Sequence, residues 1–350
     1  MIRVSHLALL AVSASLVASS AAEAQVPAWD ASYRAPRTAD GQPDLQGNWT
    51  NVTLTPFERP DGREPVYSWD EVRDIEQPED ECPPNPGTVV CGRRASTGQS
   101  NEARLSGNEY NEVYWDRGSR IAIVNGEPRT SLVTWPANGR VPDRTPFAQR
   151  FAEERRDFRG QFVQYDHPEL RPLGERCIVS FGSSAGPPMM PNSAYNNNYT
   201  IVQTADHVMI VAEMVHDFRI VRLGEPEPLP TDVKPYFGDS WGRWEGNTLV
   251  IETTNINPDH AFRGIPYSDE AKVIERLTRV DDDTILYEFT VDDPTTYAEP
   301  WGGEIPMKAL HDQLYEYACH EGNHNLVGIL RGARYQERLE AQSRASAGLR

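Results

Sequence analysis

The chain has 350 residues, with 52 acidic against 34 basic side chains, a formal net charge of -18 and 38% hydrophobic content. So acidic a surface repels phosphate backbones and anionic lipid, which excludes nucleic acid and membrane as expected partners. The hydrophobic share excludes a wholly disordered chain.

The first element, residues 1–24, reads as a secretory signal peptide. Arg3 precedes the apolar run LALLAVSASLVA, and Ala22-Glu23-Ala24 offers an A-x-A cleavage site before Gln25. The run is too short for a permanent anchor, and no later stretch approaches the ~18 apolar residues of a spanning helix. The expectation is an exported protein, periplasmic or secreted, with a single β-rich domain over residues 25–350.

Four cysteines in an exported chain imply two disulfides. Cys82 and Cys91 close the short loop CPPNPGTVVC, which leaves Cys177 and Cys319 to pair by elimination. Three connectivities are open, and the oligomeric state is not legible.

Residues 25–160 form an irregular wrap, rich in Pro, Asn, Gly and acid. A short helix is predicted at SWDEVRDIEQ with Ser68 as cap, and a first strand at Leu45 to Leu54 carries a G-x-W arrangement at Gly47 and Trp49. RIAIVNGEPRTSLVTW holds two strands around Asn125-Gly126, a hairpin signal. In VPDRTPFAQRFAEERRDF, Thr145 can cap a helix, Pro146 suits its first turn, and Phe147 and Phe151 recur at i, i+4.

Residues 161–325 read as a β-meander. NYTIVQT, HVMIVAEMV, FRIVRL, SWGRWEG, TLVIETTNI, KVIERLTRV and TILYEFTV follow one another with turn signals between them, and QLYEYAC reads as the last strand. Ile285, Tyr287, Phe289 and Val291 alternate as one buried face. A meander this long closes or folds over to remove its edges. The expected fold is therefore all-β, an antiparallel barrel or barrel-like sheet, with a C-terminal helix over residues 326–350.

The string HEGNH, His320 to His324, satisfies the zinc pattern H-E-x-x-H. That pattern needs a helix to place both histidines on one face. Gly322 and Asn323 are poor helix formers, and the preceding residues read as strand, so the segment is expected to turn into the C-terminal helix with Asn323 as a candidate cap. No metal and no other cofactor is expected.

His320 and Glu321 adjoin Cys319, where a disulfide would pin them as an acid-base pair. His216 and Asp217 form a second such pair. If their strand runs unbroken, His216 and Asp217 face opposite ways; if it turns there, they sit at a hairpin tip. Asn197, Asn198 and Tyr199 of SAYNNNYT, with Arg219 and Trp244, are candidate substrate-binding residues. Ser183 and Ser184 lack a nucleophile elbow, the Asp281 to Asp283 and Asp292-Asp293 runs lack a calcium loop, and no phosphate loop, dinucleotide fingerprint or haem motif is present.

PDLQGNWTNVTLTPFERP, RTSLVTWPANGRVP, YNNNYTIVQT, GRWEGNTLVIETTNI, VIERLTRVDDDTILYEFTVDDPTTY and YEYACHEGN together resemble a large group of exported bacterial proteins with no established reaction. Chains of that group usually read CHEGNY, so the resemblance implies that His324 is not a required ligand. The G-x-W strand before a meander also resembles calycin-type barrels, an analogy of fold alone.

These readings converge on a protein handling an apolar or aromatic small molecule. The leading expectation is a cofactor-independent lyase, isomerase or hydrolase working through His216 with Asp217, or His320 with Glu321. The alternatives are a non-catalytic small-molecule binding protein and a zinc hydrolase acting through HEGNH.

Overall fold

Strand pairing dominates the chain. The computed structural model describes residues 26–77, 116, 118–180, 182, 184–190, 197–260 and 266–347. Residues 1–25, of which 1–24 read as a signal peptide from the sequence, and Cys82, Cys91, Trp115, Ser183 and Asn196 lie outside the described residues. In chain order the strands are β1 (Gly47–Thr50), β2 (Ile123–Val124), β3 (Glu127–Pro128), β4 (Val133–Trp135), β5 (Asn198–Gln203) and β6 (His207–Ala212). They continue as β7 (Phe218–Leu223), β8 (Asp239–Glu245), β9 (Thr248–Thr254), β10 (Lys272–Asp281), β11 (Thr284–Asp292) and β12 (Trp301–Ala309). The helices are α1 (Trp69–Glu76), α2 (Pro146–Arg159) and α3 (Asn325–Ala347).

Nine strands close a barrel in the order β1-β5-β6-β7-β8-β9-β10-β11-β12, with β12 returning to β1. β4 adds to β12 at Gly302 and Gly303. A ring with an odd number of strands cannot alternate direction throughout, so one neighbouring pair must run parallel. That pair is β7 with β8, and residues 224–238 carry the chain back along the barrel between them.

Alternation along each strand fills the interior. Val273, Glu275 and Leu277 of β10 face Ile285, Tyr287, Phe289 and Val291 of β11, with Ile201, Ile210, Leu249 and Ile251 completing one core. Covering apolar area in this way stabilises by about 25 cal/mol per Å². Trp49 is 2% exposed and donates its Nε1–H to the Leu45 carbonyl at 2.9 Å, while the Arg279 guanidinium lies 5.5 Å from its ring centroid.

The first strand is shorter than its sequence pattern, spanning Gly47–Thr50 rather than Leu45 to Leu54. QLYEYAC is not a strand, and β12 is the last one instead. The physical reason is closure: β1 is flanked by β5 and β12, and β12 pairs with β11, β1 and β4, so no free edge remains there for the segment that follows β12. Gly302, Gly303 and Pro306 disguise β12 in the sequence. A Cβ on Gly302 would lie 2.2 Å from the Phe289 carbonyl oxygen, and one on Gly303 would lie 2.1 Å from that of Leu132. Only glycine allows that approach. Pro306 falls between the pairing of β12 with β4 at 302–303 and with β1 at 308–309, where a missing N–H is tolerated.

The helix caps follow the sequence. Ser68 and Glu71 form a capping box on α1, and Thr145 accepts from the Ala148 N–H at the start of α2 with Pro146 in its first turn. α3 begins at Asn325. Asn323 does not cap it; its side-chain amide donates to the Glu175 carbonyl at 3.1 Å.

Candidate functional site

The strand directions give the barrel two unlike ends. Tight turns at 204–206, Gly246-Asn247 and 282–283 join β5 to β6, β8 to β9 and β10 to β11 at one end. The connections β6–β7, β9–β10 and β11–β12 all emerge at the other, beside residues 184–190. Long connections on a rigid frame are where binding groups concentrate. Both acid-base pairs read from the sequence reach this second end.

The turn after β6 carries two consecutive residues in the left-handed region, Val215 at φ 60° and His216 at φ 47°. That conformation is costly for a β-branched residue, and outliers of this kind cluster at functional turns. It buries Met214 and Val215 while turning His216 outward. Asp217 faces inward, 6% exposed, and its Oδ2 accepts from the Ser180 N–H at 3.0 Å. Burial pushes its carboxyl up to about 7, with the Ser180 bond and His216 pulling the other way.

His216 Nδ1 lies 2.9 Å from the Tyr317 carbonyl oxygen. A carbonyl only accepts, so this contact places the proton on Nδ1 and leaves the Nε2 lone pair outward. The Cys177–Cys319 disulfide is formed across 142 residues, and it holds His320 against this turn, the two imidazole centroids being 6.5 Å apart. Thus His216 and His320 come together, with Asp217 on the inner side of the same turn. Both imidazoles and Glu321 are exposed, so they form a solvent-facing rim, and of the two readings of His216-Asp217 the turn at a hairpin tip is the one the chain adopts.

The five residues read as substrate contacts do not converge. Tyr199 is 0% exposed within the core. The Asn197 carbonyl accepts from the Asn51 N–H at 3.0 Å, and the Asn198 amide donates to Glu213 Oε2 at 2.8 Å, so both pin the start of β5. Trp244 packs against the core next to the tight turn at Gly246, at the opposite end. Arg219 lies inside the barrel, donating to both oxygens of Glu275 at 2.5 and 2.8 Å and to Thr253 Oγ1 at 3.2 Å. Burial opposes its charge, and the adjacent Glu275 carboxylate outweighs that, so the guanidinium is held above its ordinary value.

The Tyr287 hydroxyl donates to Glu275 at 2.7 Å and accepts from the Met189 N–H at 2.8 Å, tying residues 184–190 into the barrel as a plug. Tyr267 donates to the Pro187 carbonyl at 2.8 Å on the same plug. His260 stacks on Tyr267 at 6.2 Å and meets the Phe237 ring at 5.3 Å. It is 2% exposed, neither ring nitrogen has a partner among the described residues, and burial with the Arg219 charge pushes it down to about 4.

A cavity of about 890 Å³ opens at this end, between α2 and the connections at 257–259, 266–270 and 295–296. Helical periodicity builds its wall: Phe147, Phe151, Arg155 and Arg159 form one i, i+4 row, and Ala148, Ala152 and Arg156 the next. Phe147 and Phe151 are 54% and 48% exposed and stack with centroids 6.2 Å apart. Sequence reading found this helix and its phenylalanines but not its role. The i, i+4 arginines continuing the phenylalanine row were the available signal. Glu275 was also missed, although an acid between Val273 and Leu277 on a buried alternating face is a legible anomaly.

HEGNH lies in a bend and turn ahead of α3, so the helical i, i+4 geometry of a zinc site is not formed. Among the described residues no three His, Cys, Asp or Glu side chains converge as a ligand set. Compared with known proteins, the chain matches no protein-family model and no curated protein.

Proposed function

We propose that this protein binds an apolar or aromatic small molecule in the cleft along α2. The carrying observation is the exposed, stacked pair Phe147 and Phe151 facing a concave space of about 890 Å³, within the ~300–1,000 Å³ range of small-molecule sites. Exposed aromatic surface in a concavity is costly to leave against water and is favourable to cover. Alanines at 148 and 152 keep the space open between the helix and the connections.

An exported setting belongs to the same proposal. Its support is the Cys177–Cys319 disulfide, a bond that persists in oxidising compartments.

A second reading, acid-base chemistry at the rim, is favoured by the meeting of His216 and His320 across 104 residues of sequence, with Asp217 on the same turn. A histidine whose Nδ1 is held by a carbonyl, on the same turn as a buried carboxyl pushed up to about 7, offers two groups for proton transfer. The rim and the cleft share one end of the barrel, but the rim residues are not among those lining the cleft, so binding is the better supported of the two.

Native mass spectrometry of the protein purified from its own compartment tests the proposal. The wild type should carry a small-molecule adduct that Ala152→Trp, which fills the cleft, lacks. An adduct retained equally by Ala152→Trp, or bare chains from both, would count against it.

A further inference from the structure

The cleft is not uniform along its length. α2 runs from Phe147 and Ala148 at its start, through Phe151 and Ala152, to Arg155, Arg156 and Arg159 in its last turns, and all seven line the space. The helical part of the wall is apolar at one end and cationic at the other, and Arg144 also lines the space. Arg144 precedes the helix at the apolar end, where its backbone bridges to Tyr297.

The charges are not equally committed. Arg155 pairs with Asp259 at 2.6 Å. On the facing wall Asp269 pairs with Lys234, and Glu270 accepts from Thr295 Oγ1 at 2.8 Å. The three acids of the helix itself, Glu153, Glu154 and Asp157, do not line the cleft. Arg156 and Arg159 line it with no ion pair among the described residues. In a chain of net charge -18, two guanidinium groups without an ion pair among the described residues, both in the last turns of the helix that walls an apolar trough, are the opposite of what the whole-molecule field provides. A guanidinium fork also matches a carboxylate in geometry.

We infer that the cleft takes a small amphiphilic anion, a monocarboxylate on an apolar or aromatic body, with the body against Phe147 and Phe151 and the carboxylate at Arg156 and Arg159. This rests on the proposed binding function and adds the class of ligand and its direction in the cleft. A neutral molecule of the same shape loses only the charged end of the interaction, so the two levels of the account separate experimentally.

The probes are 2-naphthaleneacetate and 2-naphthaleneacetamide, which share one aromatic body and differ in charge. Their affinities are measured by calorimetry on the full-length protein at low ionic strength. The wild type should bind the acid at least about tenfold more tightly than the amide, a difference that shrinks as salt screens the charges. Arg156→Gln with Arg159→Gln should bind both at the amide's level. Arg156→Lys with Arg159→Lys, which keeps the charge, should retain part of the preference, and circular dichroism checks that each variant is folded. Equal binding of acid and amide by the wild type overturns the carboxylate assignment while leaving the cleft as a binding site. An acid preference unchanged in the glutamine variant overturns the role given to these arginines. Binding of neither probe overturns the assignment together with the binding function beneath it.

Discussion

Arg219 and Glu275 form a two-bond ion pair inside the barrel, with side chains 2% and 0% exposed. β7 and β10 are not neighbours in the sheet, since β8 and β9 lie between them, so the pair reaches across the inner face of two strands. Ser240, Thr253 and Tyr287 satisfy most of what remains. Removing one partner of a buried pair leaves the other charge stranded. Glu275→Gln should therefore lower unfolding free energy by roughly 3–5 kcal/mol, read from urea denaturation. Replacing both, as Arg219→Met with Glu275→Leu, should recover much of that loss. A single-variant cost under about 1 kcal/mol would show that the pair is solvated.

Tyr287→Phe removes the hydroxyl that bridges Glu275 and the Met189 N–H. The expected cost is roughly 1–3 kcal/mol, the range for stranding a buried polar group. Amide exchange at Met189 should rise with it, because the plug loses its anchor. Unchanged exchange there would mean that the plug is held by other contacts.

Asp217 and His260 oppose one another in pH dependence. The Asp217 carboxyl, pushed up to about 7 by burial, binds its proton more readily folded than unfolded. Its presence therefore makes stability fall as pH rises from about 4 to about 7. His260, pushed down to about 4 by burial and Arg219, binds its proton less readily folded. Stability on its account rises with pH from about 4 to 6.5. Over that shared window the two slopes offset. Asp217→Asn should unmask a rise in stability toward pH 6.5, and His260→Phe a fall, each of a few kcal/mol by linkage. Melting curves across pH 4–7 check this, and slopes of the reverse sign would contradict it.

Reducing the Cys177–Cys319 bond should loosen the rim more than the barrel, because the strands do not depend on it. A loop of 142 residues implies a cost of roughly 2–5 kcal/mol. In nitrogen-15 spectra His216 should carry its proton on Nδ1 when oxidised, and reduction should shift its resonances and those of His320 together. A proton on Nε2 in the oxidised protein would remove the fixed-tautomer argument for rim chemistry.

The barrel was legible where side chains alternate strictly, as in Ile285, Tyr287, Phe289 and Val291. It was illegible where backbones approach too closely for side chains, as at Gly302 and Gly303, whose strand resembles a loop. QLYEYAC deceived in the opposite sense. Its alternation is real, but closure leaves it no partner. The meeting of His216 with His320 was half legible: each histidine was noticed beside its own acid, and the cysteine count pointed to Cys319, but only the left-handed turn at Val215-His216 brings them together. The cleft needed two walls from distant segments, and sequence showed one, the α2 row starting at Phe147.

Binding in the α2 cleft is tested most directly by titrating the uncharged fluorophore N-phenyl-1-naphthylamine into wild type and Ala152→Trp under identical conditions. The wild type should give a saturable rise in emission at one site per chain, and Ala152→Trp, folded by circular dichroism, should give less than a tenth of it. An equal rise in both proteins would place the apolar site elsewhere and contradict the account.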